Sequence, residues 1–268
     1  MRKALIAVLA AVTVLALGGV AMAANVYNVD GGSKPRGKGS KKKPKPVGIT
    51  FDFTVADEDP TLRGTPIEKF AIGSEGLVTY PERFPTCTFA QANRPGSPAR
   101  ACRKARVGGG LVQNLVGPPN SPTTKLFCNV DIDLYNISGA GRNGGLAIVV
   151  DGEEVVPPPD ENDRTGCIID IHAAIRAKFV RTRIGRLPAD ELRFSVPFNL
   201  LHPSGLDNVI RNTESAIRKR VARKRIRGKR RKVGFYSSIG CKGRKRLIRA
   251  TFTDEAGDKE TATRNKRC

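Results

Sequence analysis

The sequence predicts an all-β protein, an antiparallel β-sandwich stapled by disulfide bonds, on three observations. Several segments alternate apolar and polar residues with period two. The 28 Gly and 18 Pro cluster between those segments, and six cysteines occur among the 268 residues. Short alternating segments separated by turn residues are typical of a sandwich, and an even number of cysteines is typical of a disulfide framework.

The predicted strands are marked by alternating apolar residues. In chain order these are Ile49, Phe51, Phe53 and Val55; Leu126, Cys128, Val130, Ile132 and Leu134; Ile171, Ala173, Ile175, Ala177 and Phe179; Leu192, Phe194 and Val196; and Ala250 with Phe252. Asn143-Gly144, placed between two apolar runs, indicates a β-hairpin turn. We expect one sandwich domain over 47–268, because a Cys-bounded C-terminal hairpin at 233–268 is too small to bury its own core. A separate C-terminal module joined by a basic linker is the alternative.

The first 23 residues have the pattern of a secretory signal peptide. Arg2 and Lys3 precede a 14-residue apolar run, and Ala21 and Ala23 fit a cleavage site between Ala23 and Ala24. An uncleaved membrane anchor is the alternative, but the run is shorter than the roughly 20 residues that span a bilayer. We therefore expect a secreted protein, extracellular or cell-wall associated, with no transmembrane segment in the mature chain.

Export to an oxidising compartment predicts that all six cysteines form disulfide bonds. Six cysteines permit 15 pairings, and we expect sequence neighbours to pair. The expected pairs are Cys87 with Cys102, Cys128 with Cys167, and Cys241 with Cys268. Neither His172 nor His202 stands near the cysteines at ligand spacing, so the pattern predicts no structural zinc.

The formal net charge of +22 comes from two segments. Residues 34–45 contain seven Lys and Arg, residues 218–249 contain sixteen, and neither segment has an acid. The rest of the mature chain has 22 Lys and Arg against 25 Asp and Glu, so it is slightly acidic. Residues 24–46 are rich in Lys, Pro and Gly, which predicts a disordered basic leader.

The densest basic stretch lies in an expected insertion at about 211–232. Eleven of the fifteen residues from 218 to 232 are basic: Arg218, Lys219, Arg220, Arg223, Lys224, Arg225, Arg227, Lys229, Arg230, Arg231 and Lys232. Ile217 and Val221 are the one apolar pair at helical spacing, which is little support for an amphipathic helix. Three interpretations of this stretch follow: a solvated loop, a binding site for anionic cell-envelope polymers, or a nucleic-acid binding segment. It has no aromatic residue for base stacking, so any nucleic-acid binding would be sequence-blind.

No motif in the sequence predicts a catalytic, cofactor or metal site. Residues 139–144 match G-x-G-x-x-G, but a strand follows where dinucleotide binding needs a helix. His202, Ser204 and Asp207 have the residue types of a hydrolase triad, yet they lie within six positions, so we expect a turn with Asp207 as a cap. Residues 160–163 do not match a calcium loop and are interpreted as an acidic turn. An extracellular hydrolase remains the enzymatic alternative.

Several segments resemble known proteins. VGITFDFTV at 47–55, VPFNLLHPSGLDN at 196–208, and the ending from Cys241 to Cys268 with ATFTD and TAT resemble uncharacterised exported β-rich proteins of high-GC Gram-positive bacteria. The resemblance implies no activity, and this chain departs from it in the density of its basic stretch. The sequence therefore predicts a non-enzymatic exported protein, with no cofactor, that its basic segments hold to anionic envelope polymers.

Overall fold

The computed structural model describes residues 25–95, 98–160, 163, 165–241 and 243–268. The expected signal peptide and its cleavage residues Ala23 and Ala24 lie outside this part of the chain, so they stay predictions. The first eight strands are β1 Asn25–Lys34, β2 Lys45–Asp57, β3 Ile67–Ser74, β4 Leu77–Thr79, β5 Arg106–Gly117, β6 Leu126–Ile137, β7 Gly145–Gly152 and β8 Ile171–Ile184. The later strands are β9 Leu187–Ser195, β10 Asp207–Ile217, β11 Val221–Ile226, β12 Lys229–Gly234, β13 Tyr236–Ser238, β14 Lys245–Asp254 and β15 Lys259–Arg267.

Helices in the described residues are short. They are α1 Phe89–Ala92, α2 Pro98–Cys102 and α3 Phe198–Leu201, with 3₁₀ turns at Pro81–Arg83 and Pro203–Gly205. Thr88 and Gln91 form a capping box that starts α1, which satisfies backbone donors that a short helix leaves unpaired. None of these helices has the length and apolarity needed to cross a membrane.

Within the described residues, every strand except β11 and β12 belongs to one sheet of thirteen strands. The order is β15-β14-β3-β9-β8-β7-β6-β5-β10-β2-β13-β4, with β1 paired to β2, and every pair is antiparallel. The sheet includes β14, which pairs with β3 as well as β15. The C-terminal hairpin is thus part of the same sheet, and the predicted antiparallel all-β fold is confirmed.

The sheet folds back on itself so that its two halves face each other as a sandwich. Strand β13 hydrogen-bonds to both β2 and β4, placing Tyr236 opposite Val47 on one side and Thr79 on the other. At the other edge, Tyr27 of β1 stacks on Phe252 of β14 with ring centroids 4.3 Å apart. Thr79 of β4 donates its backbone amide to Asp190 of β9 at 2.6 Å. This bond and the Tyr27–Phe252 stack join strands that are distant in the sheet order, so the inner faces enclose a common core.

The core follows from the period-two pattern of the strands. Alternate side chains of β6, β7 and β8 point inward and pack with those of β2, β5 and β9. A second cluster of Phe residues closes the seam between β2, β3 and β14. A third lies on the outer face, where α1 and the Cys87–Cys102 bridge cover Tyr135 and Ile137 of β6. The pattern that predicted strands therefore also predicted their buried faces.

The prediction of a disordered leader over 24–46 is corrected from Asn25 onward. Residues Asn25–Lys34 form β1, which pairs with β2 along all ten residues. Val29 is buried, and Tyr27 packs on Phe252. The disorder prediction depends on the Gly- and Lys-rich residues after Asp30, whereas Tyr27 and Val29 before them are the apolar residues that hold the strand.

The predicted insertion at about 211–232 is corrected in extent and in structure. Residues 207–217 form β10, which lies between β5 and β2 inside the sheet, so the inserted segment begins after Ile217. That segment is a β-hairpin of β11 and β12, and it is neither a loop nor a helix. Two six-residue strands flank Arg227-Gly228. A Gly between two short segments is a hairpin signal, and a test for helical spacing does not use it.

All six cysteines pair as predicted from sequence proximity. The bonds are Cys87–Cys102, Cys128–Cys167 and Cys241–Cys268. The first fixes the α1–α2 segment, the second ties β6 to the loop before β8, and the third joins the two ends of the C-terminal hairpin. Disulfide bonding is therefore confirmed.

Candidate functional site

The basic hairpin, defined as β11, β12 and the two residues between them, carries most of the predicted polyanion-binding residues. Its strands pair antiparallel from Val221 opposite Gly234 to Ile226 opposite Lys229. Arg227 and Gly228 have φ of 50° and 76°, the positive values that both central residues of a type I′ turn require. Because strand side chains alternate, the hairpin sorts its cations onto two faces.

The outer face of the hairpin carries four exposed cations in two cross-strand pairs. Arg223 lies opposite Lys232, and Arg225 lies opposite Arg230. Side chains directly opposite each other in an antiparallel pair have Cβ atoms about 5 Å apart, and like charges there repel. In the described part of the chain no carboxylate forms an ion pair with any of the four. This face is a concentrated positive surface without internal compensation.

The inner face fixes the hairpin to the sandwich. Lys224 Nζ forms an ion pair with Glu82 Oε1 at 2.7 Å and lies 4.7 Å from the centre of the Tyr80 ring. Arg220, just before β11, donates to the carbonyl of Lys104 at 3.0 Å and faces the ring of Phe84. These two candidates act as anchors, so they hold the outer face in position and are not free to meet a ligand.

Most of the other predicted candidates remain exposed around the hairpin. Arg231 is half-buried on the inner face. The exposed residues outside the outer face are Arg218, Lys219, Arg227 and Lys229. Eight of the eleven cations are thus available to solvent. The hairpin presents six of them, and Arg218 and Lys219 lie just before it.

The second cationic segment lies beside the hairpin. We call residues 35–44, between β1 and β2, the basic connector. Ser238 of β13 donates its hydroxyl to the carbonyl of Lys38 at 2.7 Å, and Gly39 forms a β-bridge with Ile239. Since β13 begins two residues after the hairpin ends at Gly234, the connector and the base of the hairpin are neighbours.

The two segments also meet across the sheet edge. Lys34 lies opposite Gly48 in the β1–β2 pair, and the backbone of Arg218 and Lys219 packs against the same glycine. The exposed cations on the β1–connector side are Lys34, Arg36, Lys38, Lys41, Lys42 and Lys43. Segments about 180 residues apart in sequence therefore form one positive surface, which we call the cationic edge.

A buried arginine links the strands beneath the cationic edge. Arg246 donates to the hydroxyls of Ser33 at 3.0 Å and Ser238 at 2.6 Å. Burial lowers the pKa of its guanidinium to about 10. It remains charged at neutral pH and holds β1, β13 and β14 together below the connector.

The other candidates are placed in turns. Ring nitrogens of His202 contact Asp207 Oδ1 at 3.0 Å and Glu255 Oε1 at 2.7 Å, and neither contacts Ser204. Both nitrogens are thus engaged by carboxylates, which leaves none directed at the hydroxyl as a hydrolase base would be. Residues 139–144 form the turn between β6 and β7. No group of three or more His, Cys, Asp or Glu among the described residues is placed to hold a metal ion.

Compared with protein-family models, with curated proteins and with solved structures, the chain matches none.

Proposed function

We propose that this protein is exported and, without enzymatic activity, attaches to anionic polymers of the cell envelope through the cationic edge. The observation that carries the proposal is the outer face of the basic hairpin, where Arg223 opposes Lys232 and Arg225 opposes Arg230. Opposed like charges destabilise a hairpin, and an anionic chain lying along that face removes the repulsion. The anchors at Arg220 and Lys224 hold the face ready for such a ligand.

A polymer ligand suits the shape of the surface better than a small anion. The exposed cations extend from the hairpin to the basic connector and do not converge on one cavity. Neutralising many phosphates or carboxylates along a chain releases counterions, which makes binding strong at low salt and strongly salt-dependent. Three disulfide bonds support maturation in an oxidising compartment, where envelope polymers are the abundant polyanions.

Retention on an immobilised glycerol-phosphate polymer at physiological salt tests this function. We compare the exported, oxidised protein with a hairpin variant, Arg223→Gln, Arg225→Gln, Arg230→Gln and Lys232→Gln. The matched control removes the same charge from exposed cations elsewhere: Arg142→Gln, Lys178→Gln, Arg183→Gln and Lys259→Gln. We expect the hairpin variant to elute at markedly lower salt than wild type and the control to elute close to it.

Equal retention of the hairpin variant and wild type would refute the proposal. Equal losses in the hairpin variant and its control would also refute it, because net charge alone would then explain retention. A column of duplex DNA provides a further comparison. The hairpin has no aromatic side chain for base stacking, so we expect DNA retention to be independent of base sequence.

A further inference from the structure

The two faces of the sandwich enclose an interior cavity of about 160 Å³. Its walls come from the inner faces of β2, β3, β5 to β10 and β13, and they are mainly apolar. Representative lining residues are Phe51, Phe70, Ile132, Ile148, Ile175 and Leu192. Side chains such as Val112 and Leu192 line this space and are only half-buried, although strand alternation directs them inward.

One wall of the cavity carries buried polar atoms that no described protein group satisfies. These atoms are Asn114 Oδ1 on β5 and Thr213 Oγ1 on β10, in side chains that are 3% and 7% exposed. Asn208 Oδ1, also on β10, is the third. Asn114 lies opposite Ile210 and Thr213 lies opposite Val112, so the polar atoms belong to adjacent strands of the same wall.

The orientation of one of these groups is fixed by its own hydrogen bond. Asn208 Nδ2 donates to the carbonyl of Leu200 at 2.8 Å, which leaves its Oδ1 as an acceptor. The hydroxyl of Thr213 can donate or accept. Buried polar groups in proteins are nearly always hydrogen-bonded, so unpaired ones in an apolar wall indicate a partner from outside the chain.

Charged ligands do not suit this cavity. Asp190 is the carboxylate on its wall, and it already accepts hydrogen bonds from the amide and hydroxyl of Thr79 and contacts Arg181. Burial raises the pKa of the Tyr236 phenol, as expected of a surrounding that disfavours charge. An apolar cavity of roughly 150 Å³ accommodates a benzene-sized molecule, which sets the size of the ligand.

We infer that the cavity binds a small, uncharged, mainly apolar molecule with one hydroxyl group, and that Asn114 and Thr213 hydrogen-bond this hydroxyl. The apolar walls bind the body of the ligand, and the polar wall selects for the hydroxyl. This site is separate from the cationic edge and does not depend on the attachment function.

Calorimetric titration with p-cresol and p-xylene tests the site, since the two probes differ by a hydroxyl in place of a methyl group. We expect wild type to bind p-cresol more tightly than p-xylene. Asn114→Leu should weaken p-cresol binding about tenfold, as loss of one buried hydrogen bond does, and leave p-xylene within about twofold. Thr213→Val, which preserves side-chain shape, should act in the same direction.

Two further variants test the location of the site. Val112→Phe adds volume inside the cavity, so it should abolish binding of both probes. The hairpin variant with four Gln should bind p-cresol as wild type does. The inference is overturned if wild type shows no saturable p-cresol binding, if Asn114→Leu and Thr213→Val weaken both probes equally, or if folded Val112→Phe binds both as wild type does.

Discussion

Arg63 is a buried charge whose two terminal guanidinium nitrogens both have hydrogen-bond partners. Its guanidinium donates to the carbonyls of Pro118 at 3.0 Å and Thr124 at 2.7 Å, and it forms an ion pair with Asp207 at 3.1 Å. The side chain is 1% exposed, so its guanidinium depends on these groups in place of water. Arg63 thereby joins the loop after β5 to the start of β10.

We expect Arg63→Met to lower the free energy of unfolding by about 3 kcal/mol, because it breaks the ion pair with Asp207 and removes the donor to the Thr124 carbonyl. Urea denaturation of the oxidised protein measures the change. Arg142→Met, at an exposed position, is the control and should change stability by less than about 0.5 kcal/mol. An Arg63→Met change as small as the control would show that the buried pair is dispensable.

Asp52 makes stability depend on pH. Burial raises its pKa, and Asp30 and Glu214, which lie opposite it on β1 and β10, raise it further. The folded state therefore holds this proton more tightly than the unfolded state does. The resulting stability is present below the unfolded pKa, near 3.8, and is lost as pH rises through the folded pKa.

We expect Asp52→Asn to remove this pH dependence. The free energy of unfolding of the variant should rise relative to wild type between pH 4 and pH 7, because the amide cannot ionise. Urea denaturation at several pH values measures it, and Glu58→Gln, at an exposed acid, is the comparison. If the free energies of unfolding of Asp52→Asn and wild type differ by the same amount at every pH, Asp52 is not the source of the pH dependence.

At the scale of single residues, sequence predicted the cysteine pairs and the cations but not their partners. Arg63 and Asp207 are 144 positions apart, and Lys224 and Glu82 are 142 apart. No local pattern marks such pairs, since they depend on which strands become neighbours in the sheet. The three polar atoms facing the cavity were missed for the same reason.

Among the elements, the basic hairpin is an unusual strand pair because its outer cations oppose each other without carboxylates. We expect the hairpin variant with four Gln to be at least as thermally stable as wild type at low salt, since it removes cross-strand repulsion. The difference should shrink at high salt, where repulsion is screened. Thermal unfolding at two salt concentrations measures it, and a marked loss of stability at low salt would contradict the proposed repulsion.

Strands were predictable where alternation is regular and were missed where glycine interrupts it. β2, β6 and β8 follow their apolar pattern. β5 contains Gly108, Gly109 and Gly110, which obscure the pattern. A Cβ at Gly108 or Gly110 would lie about 2 Å from carbonyl oxygens of β10, so close strand approach requires glycine there.

For the whole molecule, disulfide bonds add to the stability of the sandwich. The Cys128–Cys167 bond closes a loop of 39 residues between two fully buried sulfurs. We expect Cys128→Ala with Cys167→Ala to lower the free energy of unfolding by about 4 kcal/mol, the loop-closure entropy for that length. Denaturant unfolding measures it. An unchanged stability would show that the bond does not constrain the unfolded chain.

The distribution of charge over the molecule connects fold to function. Sequence showed that two segments hold the excess positive charge, but it could not show that they meet. Their meeting depends on β13, which hydrogen-bonds to β2 and follows directly after the hairpin. The cationic edge is thus a property of the sheet topology, and an otherwise slightly acidic body presents it.

The salt dependence of affinity for a soluble glycerol-phosphate polymer tests the attachment function most directly. Binding is measured at several salt concentrations for wild type, the hairpin variant with four Gln, and the control with four Gln elsewhere. The slope of log affinity against log salt should be about 3 shallower in the hairpin variant. The variant loses four phosphate contacts, and each contact contributes about 0.7 to 0.9 to the slope. The control should keep the wild-type slope, and a hairpin variant that also keeps it would contradict attachment through the cationic edge.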